Sequence, residues 1–242
     1  MTKPLTKPLT QPRQYRYYDL MMAAFVTVLV CSNLIGPAKV AQIELPWVDT
    51  LTFGAGIMFF PISFIFGDIL TEVYGYARSR RVIWAGFMAL AFASFMAWVI
   101  VALPPAPFWH NQHEYEVAFG SAWRVSLACL VAFAAGEFVN SYIMAKMKIW
   151  TQGRHLWGRT IGSTIFGEGV DTLLFFPLAF YGTGVIPDDQ ILYIVWIQFV
   201  AKVGVEVAFT PITYKIVAWL KKVENEDYYD RETDFNPFTL KS

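Results

Sequence analysis

GSTIFGEGVDTLLFFPLAFYGTG, residues 162–184, decides how this chain has to be read. At 1.5 Å per residue it is long enough to cross the roughly 30 Å hydrocarbon core of a bilayer, and most of it is apolar. Yet it carries Glu168 and Asp171, and Gly167, Gly169 and Pro177 interrupt it. A carboxylate near the bilayer centre costs about 2.5–3.5 kcal/mol on insertion scales. A lipid-facing helix has no use for two. Either the stretch is not a span, or its acids face a polar interior lined by protein.

Composition decides between these. Of 242 residues, 56% are hydrophobic, 17% aromatic and only 16% charged, with a mean hydropathy of +0.42. Soluble domains carry roughly 25% charged residues. The apolar residues also fall in blocks of about 20, the length a spanning helix needs. The chain reads as an all-α polytopic membrane protein whose permanent partner is the lipid bilayer. Lys+Arg and Asp+Glu balance at 19 each, so net charge points to no partner, nucleic acid included. Cys31 and Cys129 lie inside apolar blocks as small buried hydrophobes. His110, His113 and His155 form no HExxH, and no CxxC occurs, so neither a zinc site nor any other cofactor is expected.

The apolar blocks give six spans, at about 18–36, 51–74, 81–103, 121–146, 160–183 and 191–219. Residues 1–17 form a polar, proline-containing lead with Lys3, Lys7, Arg13 and Arg16, expected to be disordered and cytoplasmic. A signal peptide would need an uninterrupted apolar run where Asn33 falls. Arg78, Arg80 and Arg81, the cations between Lys146 and Arg159, and those after Lys215 lie in alternate spaces. The other spaces hold Lys39 against Glu44, Asp49, Glu114, Glu116, Asp188 and Asp189. By the positive-inside rule both termini are cytoplasmic. Residues 18–220 make one transmembrane domain. The outer connection 104–120 has room for a short amphipathic turn after Asn111. The tail, 221–242, is acidic and aperiodic and is expected to be disordered.

Polar residues inside the spans mark the interior. They are Asn33; Asp68 and Glu72; Arg124, Glu137 and Asn140; Glu168 and Asp171; and Gln198, Lys202 and Glu206. Six unpaired acids and a lysine in lipid would cost on the order of 20 kcal/mol, more than the net stability of an ordinary domain. They must face one another or water. Asp68/Glu72, Gln198/Lys202 and Lys202/Glu206 are spaced i,i+4, and Glu137/Asn140 and Glu168/Asp171 i,i+3, so each pair shares a helix face. Counting rise from the span ends puts Asp171 and Lys202 both about 17 Å deep. They are the expected ion pair, leaving Glu168 free to meet a ligand. The third span offers aromatic bulk and no core charge, as a lipid-facing or packing helix would. Pro61, Pro177 and Pro211 each free a carbonyl four residues back, which makes a kink or, in the fifth span with its glycines, irregular cavity-lining backbone. SFIFGD (63–68) and STIFGE (163–168) look like a repeat built from residues abundant throughout the chain.

SNLIG (32–36), GDILTEVYGYARSRR (67–81), GEFVNSYIMAKMK (136–148), TIFGEGVDTLLFFPLAF (164–180) and QFVAKVGVEVAFTPITY (198–214) together resemble the queuosine-precursor transporter family, earlier labelled vitamin-uptake-like transporters. The resemblance implies a six-helix inner-membrane protein importing a 7-deazaguanine base, such as 7-cyano- or 7-aminomethyl-7-deazaguanine, for tRNA modification. In helix count it is similar to the substrate-binding subunit of energy-coupling-factor transporters. By motif match it implies roles for Asn33, Asp68, Asp171 and Lys202. Glu72, Glu137 and Glu168 stand where members can carry other residues, so the resemblance assigns them no role.

The chemistry agrees with that class. A deazaguanine presents N1–H beside an exocyclic amine, a pair that one buried carboxylate accepts in bidentate fashion. Glu168 or Glu137 suits this guanine edge, a lysine or asparagine the 6-oxo group, and Phe66, Phe166, Phe175 or Tyr74 the ring face. Asn140 and Gln198 complete the candidate binding set. Asp68 and Glu72 either contact substrate or latch to Arg78 or Arg81. Surplus carboxylates are candidate proton carriers. Two other classes remain. One is a binding subunit that needs an energising partner, and the Ala23-xxx-Thr27 spacing offers a face for another helix or for a homodimer. The other is an intramembrane aspartyl enzyme built on Asp68 and Asp171, which lacks the GxGD signature.

Overall fold

The computed structural model describes residues 15–34, 40–45, 48–54, 60–120, 123–184 and 186–239. Seven α-helices carry the fold: α1 (Tyr18–Leu34), α2 (Phe60–Tyr74), α3 (Tyr76–Ala102), α4 (Gln112–Phe119), α5 (Trp123–Trp150), α6 (Leu156–Phe180) and α7 (Ile191–Glu224). Among the described residues the chain is helical apart from one hairpin, β1 (Val40–Leu45) against β2 (Val48–Gly54). The strands pair antiparallel with Val40 opposite Gly54 and Leu45 opposite Val48, and the register shifts between Ile43 and Leu45. α3, the stretch containing α5 and the stretch containing α7 are long and apolar enough to cross a membrane; α1 is apolar and shorter.

The hairpin corrects the expected second span. Residues 51–54 are strand, and the helix begins at Phe60. An apolar run of this length fits either period, and the alternation Val48, Thr50, Thr52 favours extended backbone. The remaining 15 residues of α2 reach only about 22 Å. Pro61 is the second described residue of α2, and the carbonyl it was expected to free, at Ile57, lies outside the described residues.

α2 is the hub. It packs on α1, α3, α5 and α7, and from Ser63 to Tyr76 all but one residue is buried. Phe64, Ile69, Leu70 and Val73 meet Phe25 and Leu29 of α1 and Val82 and Ile83 of α3 in the apolar core. α3 is buried through its first half and exposes Met88, Phe92, Phe95 and Trp98 farther on, as expected of a lipid-facing helix. α4 supplies the short turn expected after Asn111. α5 and α6 run side by side through their glycines: a Cβ on Gly167 would stand 2.7 Å from Asn140 Cβ and 3.0 Å from the Gly136 carbonyl. α6 continues unbroken through Gly167, Gly169 and Pro177, so the expected irregular backbone is not present there; Gly167 serves close approach, while a Cβ on Gly169 would meet Phe199 at an ordinary 3.7 Å.

At the end of the bundle rich in cations, the basic end, the first and last described segments of the chain are tied down. Disorder was expected over residues 1–17; residues 1–14 lie outside the described residues, and residues 15–17 are docked. Arg16 and Tyr17 donate backbone N–H groups to Glu224 at 3.0 and 2.7 Å. The tail, expected to be disordered, is irregular but docked, and Asp230 is buried. Its low apolar periodicity rules out a helix; its tyrosines and backbone carbonyls find partners on the bundle.

Candidate functional site

Lys202 of α7 organises the interior. Its Nζ lies 2.7 Å from Asp171 Oδ2 and 2.9 Å from Glu168 Oε2. The pair expected from matching depths is therefore present, but Glu168 is not free of it. Asp171 and Glu168 stand one turn apart on the buried face of α6, within reach of one ammonium. The three donors of a lysine ammonium make such sharing natural.

Three further acids surround this triad. Asp68 of α2 accepts from Asn140 Nδ2 at 2.8 Å and from Ser163 Oγ at 3.3 Å. Glu137 of α5 lies against α2, where a Cβ on Gly67 would come within 2.7 Å of its Oε2. It is within electrostatic reach of Asp68, Glu168, Asp171 and Glu206. Glu206 is buried one turn from Lys202, which turns instead towards α6. Both oxygens of Glu137 and of Glu206, Asn140 Oδ1 and the Thr164 hydroxyl are buried without a hydrogen-bond partner among the described residues. Buried acceptors left this way are costly unless a donor reaches them. The two GD/GE pieces of the apparent repeat thus meet the same stretch of α5 from α2 and from α6.

The other expected residues are placed elsewhere. Asn33 donates to the Leu29 carbonyl and accepts from Cys129 of α5; Cys129 is within reach of the Asp171 and Lys202 charges, so Asn33 sits at the edge of the cluster. Gln198 is half-buried one turn from Lys202. Phe166 is 59% exposed, because the buried face of α6 runs through Ser163, Gly167, Glu168 and Asp171 and leaves it on the outside. Phe66 packs on the apolar core, Phe175 stacks with Phe176 and Phe180, and Tyr74 donates to Glu224. None of these rings faces the carboxylates. An apolar recess of about 370 Å³ lined by Ile100, Leu103, Phe108 and Trp109 lies at the opposite end of α3 and bears none of this chemistry.

Glu72 belongs to a second cluster, at the basic end. It pairs with Arg159 of α6 at 2.7 Å, Lys221 of α7 at 2.5 Å and Lys148 of α5 at 3.7 Å. Of the two expected readings for Glu72, substrate contact or a latch, it forms a latch, whose cations come from distant helices rather than from Arg78 or Arg81. At the other end, Arg124 donates to the Leu178 and Tyr181 carbonyls at 2.6 and 2.7 Å, satisfying the end of α6.

Sequence reasoning noted Glu206 but left it out of the binding set, and it missed Thr164. The signal for both was spacing: Thr164 precedes Glu168 by four residues on one helix face, and Glu206 follows Lys202 by four.

Apolar helices around a charged, buried interior define an integral membrane protein of the transporter class. Residues 54–216 match the family model described as a putative vitamin uptake transporter. The chain is 31% identical over 199 residues to a probable queuosine precursor transporter of Bacillus subtilis (strain 168), with 82% of each chain covered. It is 24% identical over 210 residues to the queuosine precursor transporter of Escherichia coli (strain K12), covering 86% of this chain and 83% of that one. The protein belongs to the putative vitamin uptake transporter family, a family of transporters rather than enzymes. No solved structure shows a significant match. Asp171 is held by Lys202 and Asp68 by Asn140.

Proposed function

We propose that the protein imports a queuosine precursor, a 7-deazaguanine base, across the bacterial inner membrane. The names of its relatives support the substrate class, and the buried cluster supports the chemistry. In this reading the chain crosses six times, through α1, α2, α3, α5, α6 and α7, with the basic end and both termini cytoplasmic. The likeness to energy-coupling-factor binding subunits rests on that helix count.

One observation carries the binding mode: Glu137 is fully buried and both its oxygens lack a donor. With Glu168 held by Lys202, Glu137 is the carboxylate that accepts N1–H and the exocyclic amine together. Thr164 donates its hydroxyl to the 6-oxo group, and Lys202 holds Asp171 and Glu168 in place beside the base. Asp68 and Asn140 fix each other at the side facing the basic end. The protein acts alone or as a homodimer; Ala23 and Thr27 lie exposed on α1, as a helix-docking face would.

Uptake of labelled 7-cyano- and 7-aminomethyl-7-deazaguanine into liposomes holding only the purified protein tests this reading. Wild type is expected to accumulate label, Glu137→Gln to lose at least tenfold in affinity, the size of a bidentate charged pair, and Phe166→Ala to match wild type. Wild-type affinity in Glu137→Gln would place the guanine edge elsewhere. Binding without uptake would make the protein a subunit awaiting an energising partner.

A further inference from the structure

Residues 225–239 do not trail away from α7. Asn225, in the left-handed region at φ 47°, turns the chain back beneath the bundle. Tyr228 N–H then bonds the Val73 carbonyl at 3.3 Å. Its ring lies over Gly75, the residue joining α2 to α3, where a Cβ would be 2.2 Å from the ring. Gly75 has φ 86°, so both its backbone and the ring demand glycine. Tyr229 repeats the contact across the bundle: its hydroxyl lies where a Cβ on Gly153, at φ 77° in the α5–α6 turn, would come within 2.1 Å. Two consecutive tyrosines thus cap two separate inter-helix turns.

Polar contacts continue the strap. Asp230 accepts the Tyr76 N–H at the start of α3 at 3.0 Å, Arg80 donates to the Asp234 and Asn236 carbonyls at 2.7 and 2.6 Å, and Trp84 donates to the Pro237 carbonyl at 2.8 Å. Lys146 lies 3.8 Å over the Phe235 ring. Most telling is Asp227, whose Oδ1 stands 2.6 Å from Lys148 of α5 and 2.8 Å from Lys221 of α7. These are two of the three cations that also hold Glu72 of α2. Burial raises the Asp227 carboxyl, but the hydrogen bonds from the two lysines outweigh it and hold it below the usual carboxylate range.

We propose that this tail is the bolt of an inner gate, docked when the basic end is closed and released when substrate leaves there. The proposal rests on the transporter reading and on the basic end being cytoplasmic. Glu72, Arg159, Lys148 and Lys221 close the space between α2, α6, α5 and α7 directly beneath the carboxylate cluster. Separation of those helices has to break the Glu72 pairs. Asp227 opposes this by tying α5 to α7 with a second carboxylate, while Tyr228 and Tyr229 hold the α2–α3 and α5–α6 turns at fixed positions. Lids that commit substrate in this way are often what limits turnover.

The test uses full-length protein in nanodiscs and liposomes, comparing wild type with Asp227→Asn and Gly75→Ala. Asp227 is 45% exposed in its side chain, so its replacement leaves the fold intact. Hydrogen exchange of residues 68–76 and 156–163 is expected to speed up about threefold to fivefold, the effect of one half-exposed ion pair on an opening equilibrium. Exchange in residues 86–102 stays unchanged, and deazaguanine counterflow rises by a similar factor. Unchanged exchange at both segments overturns the proposal, as does acceleration spread through residues 86–102 with falling counterflow, which would make the tail a structural staple only. Should wild type move no deazaguanine, the exchange result still decides the gate, and the substrate reading alone falls.

Discussion

Replacing Lys202 by methionine removes the one ammonium that serves both Asp171, at 2.7 Å, and Glu168, at 2.9 Å, while keeping a side chain of similar length. Both acids are almost fully buried. Breaking a buried pair by removing one partner costs about 3–5 kcal/mol, because the remaining charge is left uncompensated. Here two carboxylates are stranded at once, so the single replacement is expected at the upper end of that range. The cost lies in the charges left behind, so Lys202→Met combined with Glu168→Gln and Asp171→Asn should recover most of the lost stability. Isosteric neutral replacement of a buried ionic group is often near neutral. The triple variant should then fold and still fail to take up deazaguanine. Unfolding free energies in lipid-matched detergent, with circular dichroism as the readout, measure both steps. A single variant within about 1 kcal/mol of wild type, or a triple variant no more stable than the single, would refute a shared buried ammonium.

The geometry sets three more outcomes. Gly167→Ala drives a Cβ into Asn140 Cβ and the Gly136 carbonyl, and nothing lies within 4 Å of a Cβ on Gly204. The first should destabilise by about 1–3 kcal/mol and the second be neutral or stabilising by up to about 1 kcal/mol in the same unfolding assay. Arg159→Ala takes the 2.7 Å partner from buried Glu72 and should open the basic end, seen as faster exchange at residues 68–76. The Asp227 carboxyl is depressed on folding, so its contribution to tail docking is present above its unfolded value, about 3.9, and is lost as the pH falls through its lower folded value. The difference in tail protection between wild type and Asp227→Asn should therefore persist at neutral pH and shrink as the solution is made acidic; a difference that grows on acidification would contradict the sign.

Hydrophobicity, charge and depth add along the chain, so their consequences were legible in the residues. Apolar blocks with buried acids implied a membrane protein with a polar interior. Matching depths paired Asp171 with Lys202, and motif pieces spread over the helices pointed to the family. Other features depend on shape at a distance, and only the tertiary structure decided them. Which carboxylates are left without a donor among the described residues depends on how α6 and α7 are rotated, and that rotation gave Lys202 to Glu168 as well as to Asp171 and left Glu137 and Glu206 unpartnered. Phe166 faces outward for the same reason, because the Gly136–Gly167 contact sets which side of α6 meets α5. Glu72 found cations on three helices far away in sequence, where local spacing suggested Arg78 or Arg81. An apolar run suits helix and strand alike, so the strand at residues 51–54 could not be read from periodicity. The tail has no periodicity to read at all: it docks because Tyr228 and Tyr229 fit over two glycine turns that folding brings to one end of the bundle, a complementarity that exists only once the helices are assembled.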